Sequence, residues 1–143
     1  EYPDDGGEAK PCKVPVILTA YDGYMFGANS FDLAVDVSAA FDLMVDMTWC
    51  HQSQVTEWLP WVGRHDMNVP KSKEEWRATL GHRYAKRNRK LGLDGEPTVE
   101  VFGVTAWGEI PTLEQLKADL PNLITPPDTE GHLAKRLAQW RGE

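Results

Sequence analysis

The run from Phe41 to Trp58 has the spacing of a helix that is apolar on two sides. One stripe, at spacings of three, four and seven, comprises Phe41, Met44, Val45, Thr48, Val55 and Trp58. A second apolar stripe comprises Leu43, Met47 and Cys50. Because apolar faces of a helix are normally covered, this pattern predicts partners on two sides. The remaining side is predicted to face solvent and carries Asp42, Asp46, Trp49 and Ser53.

Two short apolar segments before this helix are predicted to be strands. Val14–Ala20 is almost continuously apolar, as expected of a strand that is buried on both faces. Leu33–Val37 shows partial alternation and is the second predicted strand. Ser38 is then predicted to cap the helix. Pro60 is predicted to end it, because proline cannot donate the next backbone hydrogen bond.

Two sequence signatures beyond Pro60 predict helix starts. Ser72–Glu75 and Thr112–Gln115 both read as capping boxes, in which a hydroxyl and a side chain three residues later satisfy free backbone N–H groups. Gly92 lies where the first of these helices would end in a left-handed conformation. Thr129 is predicted to cap a last helix, after a semi-rigid Pro126-Pro127 spacer.

The segment between those helices is predicted to be a strand. Pro97–Trp107 is rich in β-branched and aromatic residues, and Gly103 is a candidate position for a bulge. Helices and strands therefore alternate along the chain. The sequence predicts an α/β fold. It has a loop or the remnant of a preceding segment at 1–13, strands and a helix at 14–61, and an extension of helices and one strand at 62–143.

Composition predicts a folded, soluble chain. With 143 residues, an apolar fraction of 41% and six tryptophans, it can bury a core without disulfides. No apolar run approaches the ~20 residues needed to cross a bilayer, so no membrane partner is predicted. Cys12 and Cys50 are predicted to be free thiols, which favours a cytoplasmic location.

Charge is distributed unevenly. The net charge is −7, yet Lys71–Lys90 contains eight basic and two acidic residues, a balance of +6. Clustered Lys and Arg can bind nucleic-acid phosphates. They can equally pair with acidic residues of the same protein, and this second interpretation is favoured, so no nucleic-acid partner is predicted.

The order of residues from Pro15 to Trp61 resembles the C-terminal part of the PIG-L/LmbE-like (GlcNAc-PI de-N-acetylase) family. The motifs are Asp36-Val37-Ser38, then His51-Gln52-Ser53-Gln54, then Trp58-Leu59-Pro60-Trp61. Pro15–Ile17 and Tyr21–Tyr24 match the preceding strand and its exit. The resemblance implies the closing portion of a nucleotide-fold-like (Rossmann-like) domain, followed by an extension.

The same resemblance implies a zinc-dependent hydrolase, a deacetylase that removes N-acetyl groups from amino-sugar-like small molecules. The family's His-Pro-Asp-Asp metal motif has no match in this chain. Tyr2-Pro3-Asp4-Asp5 is similar, but a phenol is a poor zinc ligand and no strand precedes it. We therefore expect zinc in a full-length enzyme, no metal bound by this chain alone, and a missing N-terminal half as its main partner.

Three residues are candidates for a catalytic role: His51, Gln54 and Asp22. His51 and Gln54 are three residues apart, so both would lie on one helix face. His51 can alternatively be a buried or half-buried imidazole that a backbone carbonyl or Gln54 satisfies. Asp22 follows a strand, where α/β sheets place ligands, although an Asp before Gly23 is also common in turns. Homo-oligomer formation or a non-catalytic interaction module that uses Trp58–Trp61 is the alternative function.

Overall fold

The structure is a computed structural model that describes residues 12–22, 31–63, 68–93, 95, 98–124 and 127–143. The Tyr2–Gly7 segment and nearly all of the predicted 1–13 loop lie outside the described residues. The same holds for Gly23, for the predicted turn at 27–30 and for the first residue of the Pro126-Pro127 spacer.

Four strands form one antiparallel sheet. They are β1 (Leu18–Ala20), β2 (Leu33–Asp36), β3 (Val99–Val104) and β4 (Leu123–Ile124), in the spatial order β1-β3-β2-β4. Leu18 lies opposite Val104, and Ala34 lies between Val101 on one side and Ile124 on the other. Together with the helices this confirms an α/β fold. The parallel pairing of a nucleotide fold is not found among these four strands.

The first strand is shorter and more exposed than predicted. The sequence predicts a strand over 14–20 that is buried on both faces, but β1 covers only Leu18–Ala20 and Val14 is 60% exposed. The backbone oxygens of Pro15 and Ile17 accept hydrogen bonds from Glu109 N (3.0 Å) and Thr105 N (3.2 Å). The segment before β1 is therefore held irregularly at one end of the sheet, where no further described strand covers it.

The third strand runs without the predicted bulge. Gly103 pairs in register with Thr19, whose hydroxyl donates to Gly103 O at 3.3 Å. The strand ends at Val104 and not at Trp107, because the chain then turns towards Pro15. A side chain at Gly108 would collide with the carbonyl oxygen of Pro15, so this close approach requires glycine.

Two apolar clusters lie against the sheet. Successive residues Leu33 and Ala34 enter different clusters, as the alternation of a strand requires. The first cluster includes the helices α4 (Leu113–Asp119) and α5 (Pro127–Arg141), and its buried members are Leu33, Val104, Leu113, Leu116, Leu133 and Leu137. The second comprises Ala34, Leu93, Val99 and Val101.

The predicted helix from Phe41 to Trp58 consists of several pieces. A 3-10 turn (Ser38–Ala40) leads into α1 (Phe41–Trp49), whose C-terminal cap is Cys50, and a π-turn covers Gln54–Trp58. The helix is interrupted at His51. The predicted cap at Ser38 is wrong. Its side chain makes no cap hydrogen bond and instead accepts one from Thr98 N at 3.1 Å, which ties the helix start to the segment before β3.

Pro60 does not end the helical region as predicted, because α2 (Leu59–Gly63) contains it. The π-turn explains this tolerance. The N–H of Leu59 bonds to the carbonyl of Gln54, five residues back. A π-turn shifts the hydrogen-bond pattern by one residue immediately before the proline, so the missing donor and the proline ring are accommodated where the ladder is already interrupted.

A third apolar cluster, here called the helical cluster, joins α1 and the π-turn to α3 (Lys73–Lys90). Its buried members are Val45, Val55 and Trp76, with Phe41, Trp49, Leu59 and Leu80 packed around them. Trp49, predicted to face solvent, is therefore partly buried in this cluster. Only one side of α1 is covered. Leu43 and Met47 are 61% and 60% exposed, so the prediction that both apolar stripes are covered is wrong for the described part of the chain.

Helix α3 begins as predicted. Ser72 Oγ accepts from Glu75 N at 3.2 Å, and the Glu75 carboxylate accepts from the N–H of Lys71, one residue before the cap. Gly92 has φ = 72° after the helix end, which confirms the left-handed stop. The capping prediction at Thr112 is also confirmed, with Gln115 N donating to Thr112 Oγ1 at 3.0 Å.

The last helix begins earlier than predicted. Thr129 lies inside α5, which starts at Pro127. A proline in the first helical turn loses no intrahelical hydrogen bond, because its N–H would have no partner there. Pro127 is therefore part of the helix, whereas the sequence predicts a spacer.

Among the described residues, three of the seven Lys and Arg residues of α3 are paired with acidic residues of the protein. Lys73 contacts Asp46 at 2.8 Å, Arg77 contacts Asp42 at 2.6 Å and Arg87 contacts Glu100 at 3.1 Å. These pairs join α3 to α1 and to β3. They support the interpretation of the basic run as an intramolecular match to acidic residues. No helix in the described ranges is long and apolar enough to cross a membrane.

Tyr84 connects α3 to the sheet. Its hydroxyl donates to the Glu100 carboxylate, its ring packs edge-on against Phe41 at 6.1 Å, and the Arg87 guanidinium lies 4.5 Å above it. Partial burial, the hydrogen bond to Glu100 and the negative charge of Glu100 all raise the pKa of Tyr84 above its ordinary value of 10.0. The neutral phenol is thus the form that stabilises the fold.

We expect the free energy of unfolding to fall as the pH rises above about 10, because the unfolded chain releases the Tyr84 proton while the folded chain retains it. Below that pH the contribution of Tyr84 is fully present. Urea unfolding between about pH 9 and 11 should show a smaller decrease in Tyr84→Phe than in the wild type. If the free energy of unfolding decreased equally with pH in both proteins, this role of Tyr84 would be contradicted.

Candidate functional site

His51 lies at the break between α1 and the π-turn. Its backbone N–H donates to Thr48 O at 3.1 Å, and its carbonyl accepts from Gln54 N and Val55 N, both at 3.0 Å. The backbone of His51 therefore starts the π-turn. The side chain is exposed, and no hydrogen bond or ion pair holds the imidazole within the described residues. The interpretation of His51 as a buried or half-buried imidazole is wrong, because the side chain is exposed.

His51 and Gln54 line one cavity of about 310 Å³, here called the His51 cavity. Its other lining residues are Thr48, Val55, Leu59, Trp76, Leu80 and Arg83. The predicted proximity of His51 and Gln54 is thus observed, with α3 forming the opposite wall. A volume of about 300 Å³ or more is typical of sites that bind small molecules.

The floor of this cavity is held in a fixed arrangement. Val55 and Trp76 are each only 2% exposed. The indole Nε1 of Trp76 donates to Thr48 Oγ1 at 2.8 Å, and the Thr48 hydroxyl donates to Met44 O at 2.7 Å. This chain of hydrogen bonds satisfies the polar atoms of the floor, so the floor presents mainly apolar surface.

Gln54 also lines a second cavity of about 370 Å³, here called the tryptophan cavity, with Ser53, Glu57, Trp58 and Trp61. Trp58 is 50% exposed and Trp61 is 77% exposed. The π-turn brings these residues to one side of the helix. Isolated π-turns occur frequently at functional sites.

Asp22, the third predicted site residue, does not belong to this arrangement. It is exposed directly after β1 and lines neither the His51 cavity nor the tryptophan cavity. Asp22 also makes an interaction of its own in the structure. The prediction placed Asp22 at the ligand crevice that parallel sheets form at their strand ends. In the described sheet β1 is an antiparallel end strand, so its exit does not form such a crevice.

A zinc site requires Cys, His, Asp or Glu side chains that lie close together. In the ranges that the structure describes, no group of three or more His, Cys, Asp and Glu side chains is close enough to hold a metal ion. The described part of the chain therefore does not fit a zinc site. Cys12 and Cys50 are exposed free thiols.

Sequence reasoning missed the wall that α3 contributes. Trp76 and Leu80 belong to the apolar stripe of α3, and Arg83 follows them on the same side at spacings of seven and three. That spacing was a visible signal that Arg83 shares their face. The sequence alone, however, does not show that this face of α3 packs against α1 and the π-turn.

No protein-family model, curated protein or solved structure matches this chain. Arguments about function therefore depend on the residues themselves and on their arrangement. The likeness of the Pro15–Trp61 region to the PIG-L/LmbE proteins stays a hypothesis.

Proposed function

We propose that this chain is the C-terminal part of a PIG-L/LmbE-type zinc-dependent de-N-acetylase and that it forms one wall of the substrate cleft. The supporting observation is that His51 and Gln54 meet at one cavity. Both side chains are exposed, and neither has a hydrogen-bond partner within the described residues. Their polar groups are therefore available to a substrate.

In this proposal the two halves of the enzyme have different roles. The zinc site and the catalytic base belong to the N-terminal half, since the described residues offer no suitable ligand group. In this chain, His51 donates a hydrogen bond or transfers a proton at the amide of the N-acetylated substrate, and Gln54 orients that substrate.

In the described part of this chain, two surfaces are available to contact the N-terminal half. Leu43 and Met47 form an exposed apolar face on α1, which is where that half would dock. The end strand β1 has one edge without a described partner. The parallel strands of a Rossmann-like domain, which are not found here, would come from the N-terminal half and extend the sheet at that edge.

The direct test is to determine the reading frame upstream of the codon for Glu1. The proposal requires it to continue into a segment with His-Pro-Asp-Asp, and it requires the full-length product to release acetate from N-acetylglucosamine-type substrates in a zinc-dependent reaction. A frame that begins near Glu1, or a zinc-loaded full-length product without deacetylase activity, would contradict it.

A second candidate function is a non-catalytic interaction or oligomerisation module. The observation that favours it is the exposure of Trp58 and Trp61 beside each other in the tryptophan cavity. Tryptophan is enriched in protein interfaces and often provides much of their binding energy. Under this function the Trp58–Trp61 segment contacts a partner protein or a second copy, and His51 has no chemical role.

We expect the chain by itself to bind an apolar dye, because exposed apolar surfaces favour association. Replacing Leu43 and Met47 together by Ser should reduce dye fluorescence by roughly half if their face is the main docking surface. A Trp58→Ser/Trp61→Ser variant provides the comparison, and a larger decrease there favours the interaction module. If light scattering showed a compact monomer and fluorescence showed no dye binding, neither proposed docking surface would be supported.

A further inference from the structure

The His51 cavity combines an apolar floor with a rim that carries a cation and no acid. The floor consists of Thr48, Val55, Trp76 and Leu80. His51, Gln54 and Arg83 supply the polar groups at the rim. No Asp or Glu is among the described lining residues. We infer that this cavity binds a small molecule that has a carboxylate attached to an apolar ring or chain.

The floor selects the apolar part of the ligand. Its only side-chain polar groups, the Trp76 indole N–H and the Thr48 hydroxyl, already donate hydrogen bonds at 2.8 Å and 2.7 Å. A polar ligand group placed there would lose water without gaining a donor from the floor, and this is unfavourable. An aromatic or aliphatic group gains contact area instead.

Arg83 selects the carboxylate. Its guanidinium makes no ion pair or hydrogen bond among the described residues, whereas Lys73, Arg77 and Arg87 of the same helix are each paired with an acid. A guanidinium binds a carboxylate through two parallel hydrogen bonds. Arg83 is therefore a cation at the mouth of an apolar cavity, and its guanidinium N–H donors have no partner among the described residues.

The neighbouring charges have the same sign. Lys86, Arg89 and Lys90 follow Arg83 on α3 and are exposed, so an anion approaching this end of the helix meets a positive field. The tryptophan cavity differs, because its described lining residues include Glu57 and no cation. Of the two cavities that share Gln54, only the His51 cavity is suited to an anion.

The test uses nuclear magnetic resonance on the 15N-labelled 143-residue chain, following the indole N–H signal of Trp76. Phenylacetate is the probe, and phenylacetamide is the neutral molecule of matched shape. We expect a saturable shift with phenylacetate at a dissociation constant on the order of 1 mM. Phenylacetamide should bind roughly tenfold more weakly.

Arg83→Gln should weaken phenylacetate binding roughly tenfold and remove the difference between the two probes. Arg89→Gln is the matched control, since it removes the same charge from the same helix outside the cavity, and it should retain the preference. The inference is overturned if the two probes bind the wild type equally, if both variants lose binding equally, or if no saturable shift occurs up to about 10 mM phenylacetate. The measurement requires no turnover, so its failure would leave the deacetylase proposal standing.

Discussion

Replacing Trp76 by Ala is expected to lower the free energy of unfolding by about 3–5 kcal/mol, the usual cost of removing a large aromatic side chain from a core. Trp76 is 2% exposed and lies at the centre of the helical cluster. Its removal leaves a cavity between α1 and α3 and takes away the hydrogen bond to Thr48 Oγ1. Urea unfolding should show a lower midpoint with an unchanged slope.

Two further variants make this prediction specific. Trp76→Phe retains part of the apolar contact but loses the indole donor and the volume of one ring, so an intermediate loss of about 1–3 kcal/mol is expected. Trp107→Ala removes the same side chain at a position that is 89% exposed, and its effect should stay within about 0.5 kcal/mol. If Trp76→Ala cost no more than Trp107→Ala, the packing of α1 on α3 described here would be wrong.

The second large effect concerns turnover. In the full-length enzyme that we propose, His51→Gln should lower the deacetylation rate by roughly 100-fold, as expected when one proton-transfer group or preorganised donor is lost. The free energy of unfolding should change by no more than about 0.5 kcal/mol, because an exposed side chain without a partner contributes little to stability. The two quantities are measured on the same preparation, by steady-state kinetics and by urea unfolding.

His82→Gln is the matched control for His51. His82 is also exposed and lies on α3, yet it does not line the His51 cavity. Its replacement should change neither turnover nor stability. A stable His51→Gln enzyme with wild-type turnover would remove His51 from the reaction and would favour the interaction module.

The features that sequence predicted correctly depend on a few neighbouring residues. Ser72 with Glu75, Thr112 with Gln115, and Gly92 with its positive φ all satisfy backbone groups within one helical turn. All the residues that form these capping interactions lie within a few positions of each other in the sequence. The meeting of His51 and Gln54 belongs to the same class, because the two residues are three positions apart.

The features that sequence predicted wrongly depend on partners that are distant in the chain. Val14–Ala20 has the composition of a central strand, but its place at the end of the sheet is set by pairing with β3, more than eighty residues later. The stripe of Leu43 and Met47 predicts burial, yet no described element covers it. The role of Arg83 depends on the packing of α3 against α1 and the π-turn, which the sequence does not show.

Strand order also has a consequence for synthesis on the ribosome. The strand β3 lies between β1 and β2, although it follows both in sequence by more than sixty residues. Until the codons for Val99–Val104 have been translated and that segment has left the exit tunnel, β1 and β2 have no strand to join them. The described sheet is therefore incomplete until then, and long-range pairing of this kind slows folding. The last third of the chain decides when the first third can become ordered.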